Sequence, residues 1–518
     1  MRHSVPCFLF ASAILATLPL LQCAAFDMDG VYDDSDDDAA PPHDDGGPGD
    51  ARDDRYAPLP PGLNAVAVAT GDAHSCAFNA EGALYCWGSN ELGQLGLTLD
   101  LAATSIPKQV VLPDVRVVAV ALGAHHTCVV SDFGNVICWG SNDRGQLGRP
   151  ASLWLPPAPI LVPTSLTGVV FQSVWARGAT TCASYREPEV LDAGDDATPT
   201  SSEPIVRVAC WGDNAYGQLA REDVTATHEA MVIRRGGNPV AVSAFALGGD
   251  FVLGALRASG AVRAQSWGRS LFEVTDAEPG ASAAPSSVLD PDGMPLDDVL
   301  AVGAGRAHAC ILQRKFEAVD AADAGDAGDL EELEEDADVQ DAEDADGEDG
   351  EALVDAAPPA SFAQLICWGS NDSGQLLRSD GGREVTAVGT FATTAQLALG
   401  ADVTCVVEDS VLRCAGANDQ GQLGVGSFDT AAHPNPSVIE ALPSLVVHAS
   451  VGGRHVCALV LANATTAQIA CWGDNRDGQL GDAMSLGSGY DDGELRSARP
   501  VYVVPAGTRQ PTALRNLK

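Results

Sequence analysis

An all-β fold, a seven-bladed β-propeller of repeats near 50 residues, is the architecture this sequence predicts. The first observation behind it is a recurring Trp-Gly mark. It falls at Trp87, Trp139, Trp211, Trp267, Trp368 and Trp472, with Ala415-Gly416 as a seventh between the last two, at separations of 52, 72, 56, 101, 47 and 57 residues. Periods of this size belong to propellers or solenoids. The second is cysteine used in couples, one member on each side of a short turn: Cys76 with Cys86, Cys128 with Cys138, Cys182 with Cys210, Cys310 with Cys367, Cys405 with Cys414 and Cys457 with Cys471. The third is composition. With 46% hydrophobic residues, 54 glycines and 31 prolines, the chain suits short strands and tight turns better than long helices.

The chain opens on Met1-Arg2-His3, a mostly apolar run from Val5 to Leu21, and then Gln22-Cys23-Ala24-Ala25 before an abrupt change to Asp-rich sequence. Residues 1–25 therefore read as a secretory signal. The apolar run is interrupted by Pro6 and Pro19 and is short for a membrane span. Two cleavage modes compete: a cut after Ala25, or a loose lipoprotein box at Leu20-Leu21-Gln22-Cys23 that would lipidate Cys23 and tether the protein to a membrane surface. Export would supply the oxidising compartment that paired cysteines need.

Residues 26–62 form an acidic segment with few bulky apolar groups, expected to be a disordered, self-repelling linker. Its aspartates do not match the spacing of a calcium-binding EF-hand loop. The net charge of −42 is concentrated: 27–54 and 317–355 together carry −30 of it. This balance, without any basic stripe, argues against nucleic acid as a partner.

The repeats occupy 63–504. Each unit has an alternating run before its first cysteine, a turn, a second alternating run into Cys-Trp-Gly, and a glycine-rich corner. In the sixth unit Val406-Val407-Glu408 and Val411-Leu412-Arg413 flank Asp409-Ser410, the pattern of a two-residue hairpin. Val129 should face Ile137, and Val130 should face Val136. Opposed positions of this kind come close enough for a disulfide. In the fourth unit Leu253 and Ser266 stand where the two cysteines belong. Joint loss is what a bond between the two positions predicts, since a single survivor would lack a partner. Having also lost the Asn and Gln corner, this unit is expected to be the most irregular blade.

Further strands follow each corner, as in 106–113 and 498–505. If the ring closes, the last of them should complete the first blade. Closure would remove the exposed sheet edges of an open array. Two insertions lie between the cysteines of the third and fifth units, the longer being acidic and spanning about 315–362. Both should leave the ring at the same edge. Residues 505–518 read as a C-terminal tail.

The segments CWGSNELGQLG, CWGSNDRGQLG, CWGDNAYGQLA, CWGSNDSGQLL, CAGANDQGQLG and CWGDNRDGQLG, with Gly-x-x-His-x-Cys at His74, His126, His308 and His455, resemble the regulator of chromosome condensation repeat. The resemblance covers about 63–504 and implies a seven-bladed propeller; secreted bacterial members of the family include the propeller-type β-lactamase inhibitory protein. In physical terms, glycine permits the turns, Asn90 and Asn142 can bond their own turns, and Gln94 and Gln146 can satisfy backbone groups. No grouping of catalytic residues, no cofactor motif and no metal-ligand set appears. The histidines sit at equivalent positions on different blades, too far apart for one ion, and the other units place Thr180, Phe251 and Val403 there.

These readings lead to a monomeric, non-enzymatic, extracytoplasmic propeller of a bacterial envelope, secreted or tethered through Cys23, that binds a protein or envelope component through its loops. Two alternatives are a guanine-nucleotide exchange factor-like regulator of a small GTPase and a secreted enzyme inhibitor. Export, disulfides and the lack of a basic tail weigh against exchange.

Overall fold

The computed structural model describes residues 63–160, 166–187, 205–258, 261–271, 281–316, 361–442, 445–463, 466–484 and 495–504. The signal at 1–25 with Cys23, the linker at 26–62, the bodies of both insertions and the tail at 505–518 lie outside the described residues. What is described folds as seven four-stranded antiparallel sheets, with no α-helix among the described residues.

The innermost strands of the seven blades are Ala65–Thr70, Val117–Leu122, Phe171–Arg177, Ala241–Leu247, Val299–Ala304, Gln396–Leu399 and Val446–Val451. They surround a central channel, and each is followed by its second, third and outer strands in order. The short apolar-polar alternation of these runs buries one face and spaces the other for the neighbouring blade. A small extra hairpin, Arg234–Arg235 with Asn238–Pro239, precedes blade four.

Strand register follows the sequence pattern. Val129 pairs with Ile137 and Val130 with Val136. Glu408 pairs with Val411, leaving Asp409 and Ser410 at φ 49° and 63°, the left-handed pair that a type I′ hairpin turn requires.

Ring closure differs from the expected strand exchange. Every blade is built from four consecutive strands, and the last one, Arg496–Tyr502, pairs with Thr466–Asp474 in blade seven. The first blade needs no donated strand, because Ala103–Val110 already provides its outer edge. Closure rests on packing instead. Val503 joins Trp87, Leu459, Ile469 and Leu480 in a cluster between blades seven and one.

Two further expectations change. The strands of blade five continue to Phe316 and Ser361, so Lys315 and Phe362 face each other inside the sheet, and the insertion shortens to 317–360. Blade four is regular where it is described, its central pair running without a shift from Phe251↔Gly268 to Ala258↔Ala261, while its corner at 272–280 lies outside the described residues. Leu253 and Val252 are fully buried, so aliphatic packing there suffices to hold the ladder.

Candidate interaction site: two faces and a channel

The cysteines of each couple stand directly opposite in register across the second and third strands of a blade. Cys76 faces Cys86 in blade one, Cys128 faces Cys138 in blade two, and Cys182 faces Cys210 in blade three. Cys310 faces Cys367 in blade five, Cys405 faces Cys414 in blade six, and Cys457 faces Cys471 in blade seven. Their Cα atoms are 4.0 to 4.2 Å apart and the sulfurs are bonded. That separation is typical of a non-hydrogen-bonded antiparallel pair, the site where cross-strand side chains come closest. The register also pairs Leu253 with Ser266. All twelve cysteines are fully buried, so a reductant reaches them only when a blade opens. Their place inside the sheets makes them ties within each blade and keeps them off any surface that a partner could touch.

The hairpin turns between second and third strands all project from one face of the ring. At that face Glu187 and Ile205 bracket the insertion of blade three, and Phe316 and Ser361 bracket that of blade five. The opposite face carries the Gly-x-x-His loops and the Trp-Gly corners. Here the glycine after each tryptophan, and after Ala415 in blade six, is in the left-handed region, from φ 97° at Gly268 to 122° at Gly416. A Cβ on Gly88 would lie 2.6 Å from the carbonyl oxygen of Ala73, so only glycine fits.

The corners of every blade but the fourth form a repeated polar unit. Asn142 Oδ1 accepts from the Leu147 amide (3.0 Å), its Nδ2 donates to the Arg149 and Pro150 carbonyls (3.2 and 2.8 Å), and Gln146 Oε1 accepts from the Arg144 amide (2.8 Å). The main-chain carbonyl of that glutamine then serves the next blade. Gln146 O accepts from Trp211 Nε1 at 2.9 Å, Gln94 O from Trp139 Nε1 at 3.0 Å, and Gln479 O from Trp87 Nε1 at 2.9 Å.

The histidines complete this relay. His74 Nε2 is 3.0 Å from Thr127 Oγ1, His126 Nε2 2.8 Å from Thr181 Oγ1, His308 Nε2 2.9 Å from Thr404 Oγ1, and His455 Nε2 2.8 Å from Ser75 Oγ. Thr127, Thr181 and Ser75 donate their own hydroxyl protons to Gln94 O, Gln146 O and Gln479 O. In His74, His126 and His455 the imidazole Nε2 must therefore be the protonated nitrogen. Burial pushes His126 and His308 down to about 3 and His455 to about 4, so the rings are neutral. They link adjacent blades. Among the described residues, no three of His, Cys, Asp and Glu come together as a metal site.

The channel encloses about 300 Å³ and is walled chiefly by Ala, Val and Leu, with Thr70, Ser173, Gln396, His448, Ser450 and Arg177 as its polar members. Around its mouth on the histidine face, peptide groups of neighbouring blades join: Ala124 N donates to Gly178 O, Ala401 N to Gly452 O and Gly453 N to Gly71 O, the last at 3.1 Å across the closure. Arg306 pairs with Asp402 at 3.6 Å and Arg454 with Asp419 at 2.9 Å on the same rim.

Two models of the regulator of chromosome condensation repeat match the sequence, one over 81–130 and 414–459 and the other over 65–94 and 117–146. Over these residues the chain carries regulator of chromosome condensation repeats. Relatives of this repeat protein include the ultraviolet-B receptor UVR8 of Arabidopsis thaliana, 36% identical over 18% of the chain and 22% of the receptor. The X-linked retinitis pigmentosa GTPase regulator of Mus musculus is 31% identical over 32% of the chain and 15% of its own length. The matches thus span less than a quarter of either relative. Among solved structures, yeast RCC1 (Prp20) bound to Kap60 superposes with a TM-score of 0.56 at 16% identity, covering 91% of each chain; this shows the fold.

Proposed function

We propose that this repeat protein is a non-enzymatic, exported propeller, free or tethered through a lipidated Cys23, that binds a protein or cell-envelope partner through the loops of its hairpin face. The observation that carries the reading is the register of the cysteines. Six couples face each other in six blades, and both members are absent together in the seventh. Cysteine usage of this kind fits an oxidising compartment and not one in which thiols are kept reduced. The hairpin face is favoured because both insertions leave the ring there, while the opposite face is occupied by corner bonds that hold the blades together. A relative named as a GTPase regulator and a propeller solved with Kap60 bound support protein binding as the general mode.

Two measurements test the proposal. Non-reducing mass spectrometry of the native protein should find the six couples oxidised and the first residues removed; free thiols with an intact N-terminus would reject export and favour regulation of a small GTPase inside the cell. A pull-down from envelope and secreted fractions, using the full chain and a variant with 317–360 replaced by a short Gly-Ser link, should recover a stoichiometric partner that the variant loses. Recovery of a secreted enzyme whose activity falls on binding would identify an inhibitor.

A further inference from the structure

The seven-fold repeat is broken at one point inside the channel. Three residues before the histidine position, six blades carry glycine: Gly71, Gly123, Gly248, Gly305, Gly400 and Gly452. The third blade carries Arg177. Glycine is required wherever the following ring is bulky. A Cβ would lie 2.6 Å from His74 Cε1 at Gly71, 2.1 Å from His126 Cε1 at Gly123 and 2.1 Å from His308 Cε1 at Gly305. In blade three the histidine is replaced by Thr180, which leaves room for a side chain. The two substitutions occur together, and their result is a single guanidinium at the mouth of an otherwise mostly apolar channel.

Arg177 lines the cavity and retains some solvent contact through it. Its guanidinium makes no hydrogen bond or ion pair with any described residue. On the rim, Arg306 and Asp402 are engaged with each other. Asp72 and Asp402 lie within electrostatic reach of the guanidinium without pairing to it. Below it the wall is formed by Leu122, Ala176, Leu247, Ala304, Leu399 and Val451, with Thr70 as the polar member of that layer. Five N–H donors in a planar fork, held over an apolar shaft, match a planar oxyanion with a short apolar tail.

We propose that the channel is a binding site for a small monocarboxylate, its oxygens taken by Arg177 and its hydrocarbon tail directed down the shaft. A single negative charge balances the guanidinium, whereas a dianion such as phosphate would be opposed by Asp72 and Asp402. The site is independent of the partner reading above, since it opens on the histidine face and not on the hairpin face.

The test uses the full exported chain with sodium butyrate and sodium phosphate as probes at constant ionic strength, followed by calorimetric titration and by the melting temperature. Wild-type protein should bind butyrate saturably with a rising melting temperature, and Arg177→Gly, which restores the residue of the other six blades, should bind at least tenfold more weakly. Arg177→Lys, keeping charge without the fork, should fall between them and guards against a folding defect in the glycine variant. Absence of saturable binding to wild-type protein, equal binding by Arg177→Gly, or tighter binding of phosphate than of butyrate would each overturn the assignment.

Discussion

His455 Nε2 lies 2.8 Å from Ser75 Oγ, a contact between residues 380 positions apart that joins the seventh blade to the first. Ser75 passes its own proton to Gln479 O at 3.0 Å, and the same carbonyl accepts from Trp87 Nε1. Since no strand crosses the closure, this buried chain of bonds and the apolar cluster around Val503 hold it. Ser75→Ala would leave the His455 N–H unpaired in a fully buried site. We expect a loss of about 1–3 kcal/mol in chemical denaturation. Hydrogen exchange should rise first in Ala65–Thr70 and Val446–Val451, the strands flanking the closure. Uniform acceleration around the ring would show that the closure is no weaker than the other junctions.

Acid should weaken the fold through the same histidines. In the unfolded chain they bind protons from near pH 6.5 downward, while in the folded state burial holds His126 and His308 neutral to about 3. The unfolded state therefore carries more protons across that window, and stability falls as pH falls through it, by up to about 1.4 kcal/mol per pH unit for each ring. His308→Gln retains an N–H donor toward Thr404 but does not titrate. Urea midpoints between pH 6 and pH 4 should fall less steeply in this variant than in wild-type protein. Carboxylate titration is common to both and cancels in the comparison.

Much of this architecture was legible in the residues because repetition exposes it. Seven aligned units reveal strand pairing column by column, which is why Leu253 and Ser266 could be matched as partners without a cysteine in sight, and the structure pairs them. Closure was less legible. A repeating string has no marked beginning, so pattern alone leaves open whether the strand near 498 belongs to the last blade or the first; the pairing of Cys471 with Val501 decides it. Strand ends were hidden for another reason: Lys315 and Phe316 look like the start of the acidic insertion until Phe362 and Ser361 are seen opposite them. Arg177 was present as an odd residue in a glycine column, but its consequence depends on how much space Thr180 leaves, a property of packing and not of pattern.

The disulfides should differ in value according to the loop each closes. In the chain-entropy picture a separation of 10 residues, as for Cys128 and Cys138, corresponds to about 3 kcal/mol, and one of 57, as for Cys310 and Cys367, to about 4 kcal/mol. Replacing each couple by the Leu and Ser found in blade four tests this without leaving a lone thiol. The double variant Cys310→Leu with Cys367→Ser should lose more stability than Cys128→Leu with Cys138→Ser. The opposite order would mean that local packing, and not restriction of the unfolded chain, sets their contribution.

Blade four offers the complementary measurement within the native protein. Its second and third strands, Phe251–Ala258 and Ala261–Arg269, have a continuous ladder but no covalent tie. Trp267 Nε1 still donates to Gln218 O at 3.0 Å, so the junction with blade three is intact. Under native conditions the amides of these strands should exchange faster than those of His126–Ser131 and Val136–Asn142 in blade two, which are bridged. Reduction of the whole protein should remove most of that contrast, because blade two would then also rely on packing and hydrogen bonds. Equal protection before reduction would mean that Leu253 and its buried neighbours hold the hairpin as firmly as a disulfide does.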